Sequence, residues 1–339
     1  MNDLNLILCS DYVVSNYDNI LKNYCVTISS GKIDSVIPYN PNFFPRGYEV
    51  FNFIGKHSIM TYGFSLMHTH LGLYPLRATL SMGLDLDRWV REYVWPWERK
   101  IRRNPVLSYY LAIIALKEII PSGVTLIADM HPNGDKVAEA LVEYGMRGNL
   151  SIPLMDYGIY NSGEEALQEN IKLFNEWHNK HNLITVGFGP CTIRLASEET
   201  FRKSIEIAHK YKTNIHIHLS EVLEDVKFSL EKFGVRPAYY ILNLGITKVR
   251  TLIAHGVWLE YNEIKALRNE NITLVLNPRS NYLLRSGKPL ISTIVKAVRT
   301  SLGVDVAPTC NIIDEINFMG VIEKSLNYNI MYKILTSGV

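Results

Sequence analysis

The residues best suited to chemistry are histidines. His68-Thr69-His70 closes one short apolar run, His216-Ile217-His218 closes another with Glu221 three residues on, His255 ends a third, and Asp305 stands at the end of a fourth. In an extended segment residues i and i+2 point to the same side, so His68 and His70 can grip one cation together. A single H-x-H pair carries little weight, because two packed or surface histidines spell the same pattern. Five of the ten histidines gathered with one aspartate carry more, and that clustering points to a metal site. A divalent ion lowers the pKa of its bound water towards about 7, so the chemistry on offer is metal-assisted hydrolysis. The chain holds no H-E-x-x-H, no H-x-E with P-C-x-x-C, no G-x-S-x-G elbow and no Walker loop. Their absence argues against the reactions those motifs serve.

Such residues need a frame that brings distant segments to one point. From His57 onward, short apolar runs alternate with longer amphipathic ones, the mark of repeated βα units on a parallel sheet. Eight buried strands are expected at residues 58–66, 124–129, 150–155, 184–188, 214–218, 251–255, 273–276 and 301–306. Helices are expected at 107–119, 136–144, 164–177, 198–211, 261–268 and 291–298, several with acidic first turns and basic ends that suit the helix dipole. Eight repeats across residues 56–339 predict an α/β fold, a (β/α)8 TIM-type barrel, in which catalytic groups stand at the C-terminal strand ends. An open doubly wound sheet is the weaker alternative, since Gly187-Phe188-Gly189 has Thr192 where a third glycine of a phosphate loop should fall. The irregular stretch from Leu71 to about Asp87 is long enough to form part of a substrate pocket. Residues 1–55 read instead as short strands at 4–9, 25–29 and 33–37 around a Gly31-Lys32 turn, and a small β-sandwich-like domain is expected there.

Composition agrees with a globular enzyme: 339 residues, 47% apolar and 20% charged, enough to bury a sizeable core. With 35 Lys+Arg against 33 Asp+Glu and no block of like charge, nucleic acid and anionic membranes are not expected partners. Cys9, Cys25, Cys191 and Cys310 are scattered without a C-x-x-C pair, so neither a disulfide nor a cysteine zinc site is expected, and the compartment reads as reducing. The first ten residues lack a basic n-region and an A-x-A pattern, and no apolar run reaches the ~18 residues a bilayer requires. The expectation is a cytoplasmic protein.

The stretches Gly63-Phe64-Ser65-Leu66-Met67-His68-Thr69-His70-Leu71, Trp95-Pro96-Trp97-Glu98, Gly187-Phe188-Gly189-Pro190, His216-Ile217-His218-Leu219-Ser220-Glu221, Ala254-His255, Asn277-Pro278-Arg279-Ser280-Asn281 and Leu302-Gly303-Val304-Asp305 run in this order along nearly the whole chain. With them the chain resembles the amidohydrolase superfamily. It is similar above all to the branch of methylthioadenosine/S-adenosylhomocysteine deaminases, guanine deaminases and triazine hydrolases. The resemblance implies that His68, His70, His218 and Asp305 bind one divalent metal, zinc with iron as the alternative. It implies that His255 orients or deprotonates the attacking water, that Glu221 protonates a ring nitrogen, and that Asp305 handles the proton bound for the leaving group. A carboxylic acid within reach of both ring and metal is what such shuttling requires. The expected activity is hydrolytic deamination of a nitrogen heterocycle of purine nucleoside or base type, with a small heterocycle as partner and a homodimer as the family's usual assembly. Glu98 matches a position that holds ribose hydroxyls, and Arg77, Cys191, His131 and Thr309 are the other expected substrate contacts. Trp89 matches a family position and reads as packing. His216, which shares parity with His218, reads as a packed histidine or a support behind the site.

The chain departs from the family pattern at Cys191, where the nucleoside deaminases carry a substrate-contacting histidine. It departs again at Leu276, in place of the histidine before Asn-Pro, and at Val306, where Asp-Gly-Ala would continue after Asp305. The resemblance also leads one to expect closing strands of the small β domain after residue 339, so that domain is reduced or the chain incomplete. Two alternatives stay open: a hydrolase of another ring (guanine, triazine or an imidazolone amide), and a catalytically silent barrel that binds a ligand.

Overall fold

A computed structural model describes residues 5–16, 18–42 and 44–337. The chain divides into two compact units, Met1–Gly63 and Phe64–Val339.

The first unit holds strands β1 (Leu6–Asn16), β2 (Asn19–Ser29), β3 (Lys32–Pro38), β4 (Glu49–Asn52) and β5 (Ile59–Met60). They form one mixed sheet among the described residues, in the order β3-β2-β1-β4 with β5 also on β1, where a sandwich-like arrangement was expected. The β1–β2 hairpin sets Cys9 opposite Cys25, and the two are joined as a disulfide. This corrects the expectation of unpaired cysteines and removes the basis for reading a reducing compartment. The pairing follows from hairpin register, which no cysteine-spacing motif encodes. Ile7 and the cystine pack with Ile37, Tyr39 and Ile54 as the unit's own small core.

The second unit is the barrel. Its staves are β6 (Phe64–Thr69), β7 (Val124–Met130), β8 (Arg147–Ser151) continued by β9 (Pro153–Leu154), and β10 (Ile184–Val186) continued by β11 (Gly189–Pro190). β12 (Asn214–Leu219), β13 (Arg250–His255), β14 (Ile272–Leu276) and β15 (Arg299–Leu302) complete it. All neighbouring staves pair in parallel. The staves form a four-stranded sheet β10-β8-β7-β6, the pair β11-β9 and a four-stranded sheet β12-β13-β14-β15, and the bridges Phe188–Ile215 and Thr69–Asp305 close the ring. The strand expected at 58–66 is thus two pieces: Ile59 and Met60 pair with Tyr12 and Val13 in the first unit, and the barrel begins at Phe64. The last stave ends at Leu302, leaving Gly303 to Val306 as irregular chain that carries Asp305.

Outer helices follow the staves, and their first turns explain their starts. Ser162 and Ser197 accept hydrogen bonds from the backbone N–H groups of Glu165 and Thr200, capping Gly163–Trp177 and Glu198–Tyr211. The stretch Pro105–Ser122 is long and apolar enough by composition to cross a membrane, against expectation. Its Ala112, Ala115, Leu116 and Ile119 are buried in the main core between helix layer and barrel wall.

Inside the ring, Met67 packs with Ala128 and Val275 as a plug. The register of β6 against β7 shifts between Leu66 and Thr69. Through this irregularity the consecutive residues Met67 and His68 both serve the interior, the one in the plug and the other in the site above it. A close approach holds the eighth stave against the first: a Cβ on Gly303 would lie 2.7 Å from the His68 carbonyl oxygen and 2.2 Å from Asn277 Oδ1. Gly303→Ala should therefore destabilise the protein by about 1–3 kcal/mol, whereas Gly320→Ala, whose new methyl meets only the flexible end of Met331 at 3.1 Å, should not. Thermal unfolding of both variants checks this; equal melting temperatures would contradict it.

Candidate metal centre and active site

The strand ends bring the expected histidines together. His68, His218 and His255 form one group of converging donor atoms, His68, His70 and Asp305 a second, and Glu221, His255 and Asp305 a third, each within 4.8 Å. Asp305 Oδ1 lies 3.4 Å from Nε2 of both His68 and His70, and His70 Nε2 lies 3.2 Å from His218 Nε2. Ligand atoms about 2.1 Å from one ion at tetrahedral angles are about 3.4 Å apart, so these spacings fit an ion.

The far side of each ring fixes its proton. Nδ1 of His70 donates to the Met130 carbonyl at 3.1 Å and Nδ1 of His218 to the Cys191 carbonyl at 2.9 Å. Because carbonyls only accept, Nδ1 carries the hydrogen and Nε2 turns a lone pair inward. Nδ1 of His68 meets Nε2 of His216 at 2.8 Å, and Nδ1 of His255 meets Asn281 Oδ1 at 2.8 Å. Nε2 of His68 and of His255, both buried, have no hydrogen-bond partner. Buried imidazole nitrogens without a hydrogen-bond partner are what a divalent cation satisfies, and the donor set fits one. Burial holds the His68, His70 and His218 pKa values below the ordinary imidazole value, and His216 falls to about 3. These rings therefore stay neutral, as ligands must.

Two residues of the centre hold unusual backbone. His255 has φ 76° and Asp305 φ 48°, left-handed conformations that turn each side chain inward where the strand ends. Burial tends to raise the Asp305 pKa, but His68 and the surrounding imidazoles outweigh it and keep the carboxylate ionised. Ser280 Oγ donates to its Oδ2. Burial pushes Glu221 up to about 7, against the opposing pull of His255, whose Nε2 is 3.6 Å away.

His70, His218, Glu221, His255 and Asp305 line one side of a cavity of about 400 Å³ whose wall is otherwise largely apolar. Glu98 and Cys191 line it as expected. Glu98 makes no hydrogen bond or ion pair among the described residues, and burial, with Asp129 adding to it, raises its pKa to about 8. The Cys191 thiol sits 3.8 Å from His218 Nδ1 and is held protonated by burial. The other three expected contacts lie off the cavity lining. Arg77 donates to the Ala307 and Asp305 carbonyls, so its charge ties down the loop behind the metal centre. His131 packs beneath Gly72, where an added Cβ would come within 2.2 Å of its Nε2, and its Nδ1 accepts from the Asn133 N–H. Thr309 bridges Arg279 and Asp314.

Apart from His216, sequence reasoning gave no role to the residues that hold the candidate groups. Asn281 and Ser280 belong to the quoted Asn277–Asn281 stretch, which was the available signal. Asp225, four residues after Glu221, accepts the Glu221 N–H at 2.8 Å and also binds Arg194, which carried no signal of its own. His216, read as packed or supporting, supports His68.

With this geometry in place, comparison identifies the class. The sequence pattern of the amidohydrolase family matches residues 59–336, and the chain belongs to that family. Among curated relatives, the 5-methylthioadenosine/S-adenosylhomocysteine deaminase of Thermoanaerobacter pseudethanolicus is 33% identical over 81% of this chain and 64% of its own length. The 5'-deoxyadenosine deaminase of Methanobrevibacter smithii is 33% identical over 79% of this chain and 62% of its own. This chain thus spans less than two thirds of the length of either. Among solved structures, an adenosine deaminase from Xanthomonas campestris with bound zinc superposes with a TM-score of 0.87 at 21% identity, covering 99% of this chain and 79% of that one. A guanine deaminase from C. acetobutylicum with bound guanine gives 0.81 at 20% identity, covering 99% and 85%. At these identities the structures speak for the (β/α)8 fold alone.

The Glu98 pKa, near 8 when folded and about 4.3 when unfolded, makes stability depend on pH. The folded chain keeps a proton that the unfolded chain loses, so the stability this group contributes falls as pH rises from about 4.3 to about 8. Glu98→Gln removes that loss, and its melting-temperature advantage over the parent should be larger at pH 8.5 than at pH 5.5. An equal difference at both pH values would refute the buried, unpartnered state of this carboxyl.

Proposed function

We propose that the chain is a single-metal hydrolase that deaminates an adenosine-type nucleoside. The observation that carries the reading is the convergence of inward-facing Nε2 lone pairs and the Asp305 carboxylate beside Glu221, at the wall of a cavity of nucleoside size. The names of the curated relatives favour adenosine-type substrates over other rings. His68, His70, His218 and Asp305 would hold the metal, for which we propose zinc with iron as the alternative; when bound, it activates water at neutral pH.

The chain's own residues divide the remaining work. His255, with its Nδ1 proton held by Asn281, keeps Nε2 free to orient water and accept a proton. Glu221, poised near neutrality by burial, carries a proton to the ring nitrogen beside the attacked carbon. Asp305, ionised and steadied by Ser280, passes a proton to the departing amino group. Water thus adds across the C=N bond, the exocyclic C–N bond breaks, and ammonia leaves. Glu98, neutral and unpartnered, serves both as donor and acceptor for the sugar hydroxyls, and the Cys191 thiol contacts the ring from beside His218. The apolar walls exclude water and strengthen each of these interactions.

Ammonia release from metal-replete protein across adenosine, 5'-deoxyadenosine, 5'-methylthioadenosine, guanine and a chlorotriazine tests the proposal. Stoichiometric ammonia from the adenosine-type compounds is expected, with kcat/KM falling by about 10²–10⁴-fold in Glu221→Gln and in Asp305→Asn. Release only from guanine or chloride only from the triazine would replace the substrate; undiminished activity in both variants would reject the mechanism.

A further inference from the structure

Beyond the metal centre, the same cavity contains a second charged device. Arg194 Nη1 and Nη2 donate to the two carboxylate oxygens of Asp87, each at 2.8 Å, and its Nε donates to Asp225 Oδ1 at 2.7 Å. All three residues line the cavity. Side-chain exposure rises from 6% at Asp305 and 8% at Glu221 to 23% at Arg194 and 30% at Asp87, which places the bridge on the solvent side of the reacting groups. Asp87 comes from the short helix Leu86–Trp89 after the first stave, while Arg194 follows the fourth, so the bridge also spans the mouth.

The bridge leaves little for an anion. A guanidinium recognises a carboxylate through a two-pronged fork, and here Asp87 already occupies that fork while Asp225 takes Nε. Two carboxylates around one guanidinium give this part of the wall a net negative charge. The neighbouring wall, formed by Leu86, Trp89, Val90, Leu195, Phe228 and Leu284, offers apolar contact. Arg91 is the one other cation on the lining; it is exposed at the rim, where a charge attracts weakly.

We infer that the Asp87–Arg194 bridge selects substrates by the charge of the substituent farthest from the reacting ring, accepting a neutral apolar tail and rejecting one that ends in a carboxylate. The inference rests on the adenosine-type reading above. In its terms, a 5'-methylthio or 5'-deoxy group fits, whereas a 3-carboxypropylthio group, which ends in a carboxylate and carries no ammonium to offset it, must displace Asp87 or lie against two carboxylates. Specificity here comes from a repulsive element as much as from contact.

The test measures kcat/KM for 5'-methylthioadenosine and 5'-deoxy-5'-(3-carboxypropylthio)adenosine in the parent, Asp87→Asn, Asp87→Ala and, as control, Arg88→Ala, whose side chain pairs with Glu92 on the exposed surface off the cavity. The ratio of the two values is independent of how much of each preparation is folded. The parent should prefer 5'-methylthioadenosine by at least about thirtyfold. Both Asp87 variants should lower that ratio by about tenfold, through a reduced KM for the carboxylate-ended substrate, and Arg88→Ala should leave it unchanged. A parent ratio within about threefold of unity, or a ratio indifferent to both Asp87 variants while 5'-methylthioadenosine is still deaminated, overturns the inference alone. If tryptophan fluorescence shows no binding of either nucleoside and neither yields ammonia, the adenosine-type reading falls and this inference with it.

Discussion

What the site can do depends on where a few imidazole protons are held. Two backbone carbonyls and one amide oxygen take the Nδ1 protons of His70, His218 and His255, so each of their Nε2 atoms is left as a lone pair facing its neighbours, and Nδ1 of His68 is tied to the ring of His216. Without that outer ring of acceptors the imidazoles would be free to rotate or swap tautomers, and their burial would only cost energy. With it, the inward-facing ring nitrogens converge with the Asp305 carboxylate, an arrangement that a divalent ion satisfies. The barrel exists in this sense to bring carbonyls as well as side chains to one place.

The same logic runs outward. Asn281 and Ser280 come from the short helix after the seventh stave and steady His255 and Asp305; Arg77 reaches from the loop after the first stave to the backbone of the eighth. Asp225 fixes the Glu221 backbone and passes that constraint to Arg194 and Asp87. His255 and Asp305 are thus oriented by residues of another βα unit and Glu221 by Asp225 of its own, so the barrel's packing and the site's geometry are one constraint. The left-handed backbone at His255 and Asp305 is strain that these contacts sustain.

Much of this was legible in the sequence, for reasons that can be named. Strands buried on both faces read as apolar runs, so six staves fell close to their expected places while the eighth ended four residues early, and the helix Glu198–Tyr211 was bounded correctly. The first stave was misplaced because Ser58 to Met60 has the same apolar character yet pairs with β1. The clustering of His68, His70, His218 and Asp305 at strand ends was legible in the sequence, and the ends of the first, fifth and eighth staves bring their donor atoms together. Arg77, His131 and Thr309 were read as substrate contacts because sequence tells which loop a residue occupies but not which way it points. The Cys9–Cys25 disulfide and the Arg194 bridge were hidden for the same reason: both arise from register and from contacts between distant segments.

The central claim is a single cation held by His68, His70, His218 and Asp305, and it is tested most directly by anomalous X-ray diffraction at the zinc edge on crystals of the metal-replete protein. The account predicts one strong anomalous peak per chain within bonding distance of the three Nε2 atoms and an Asp305 oxygen, absent from crystals of His70→Ala grown the same way. Featureless maps at that point, or a peak coordinated by other residues, would contradict it.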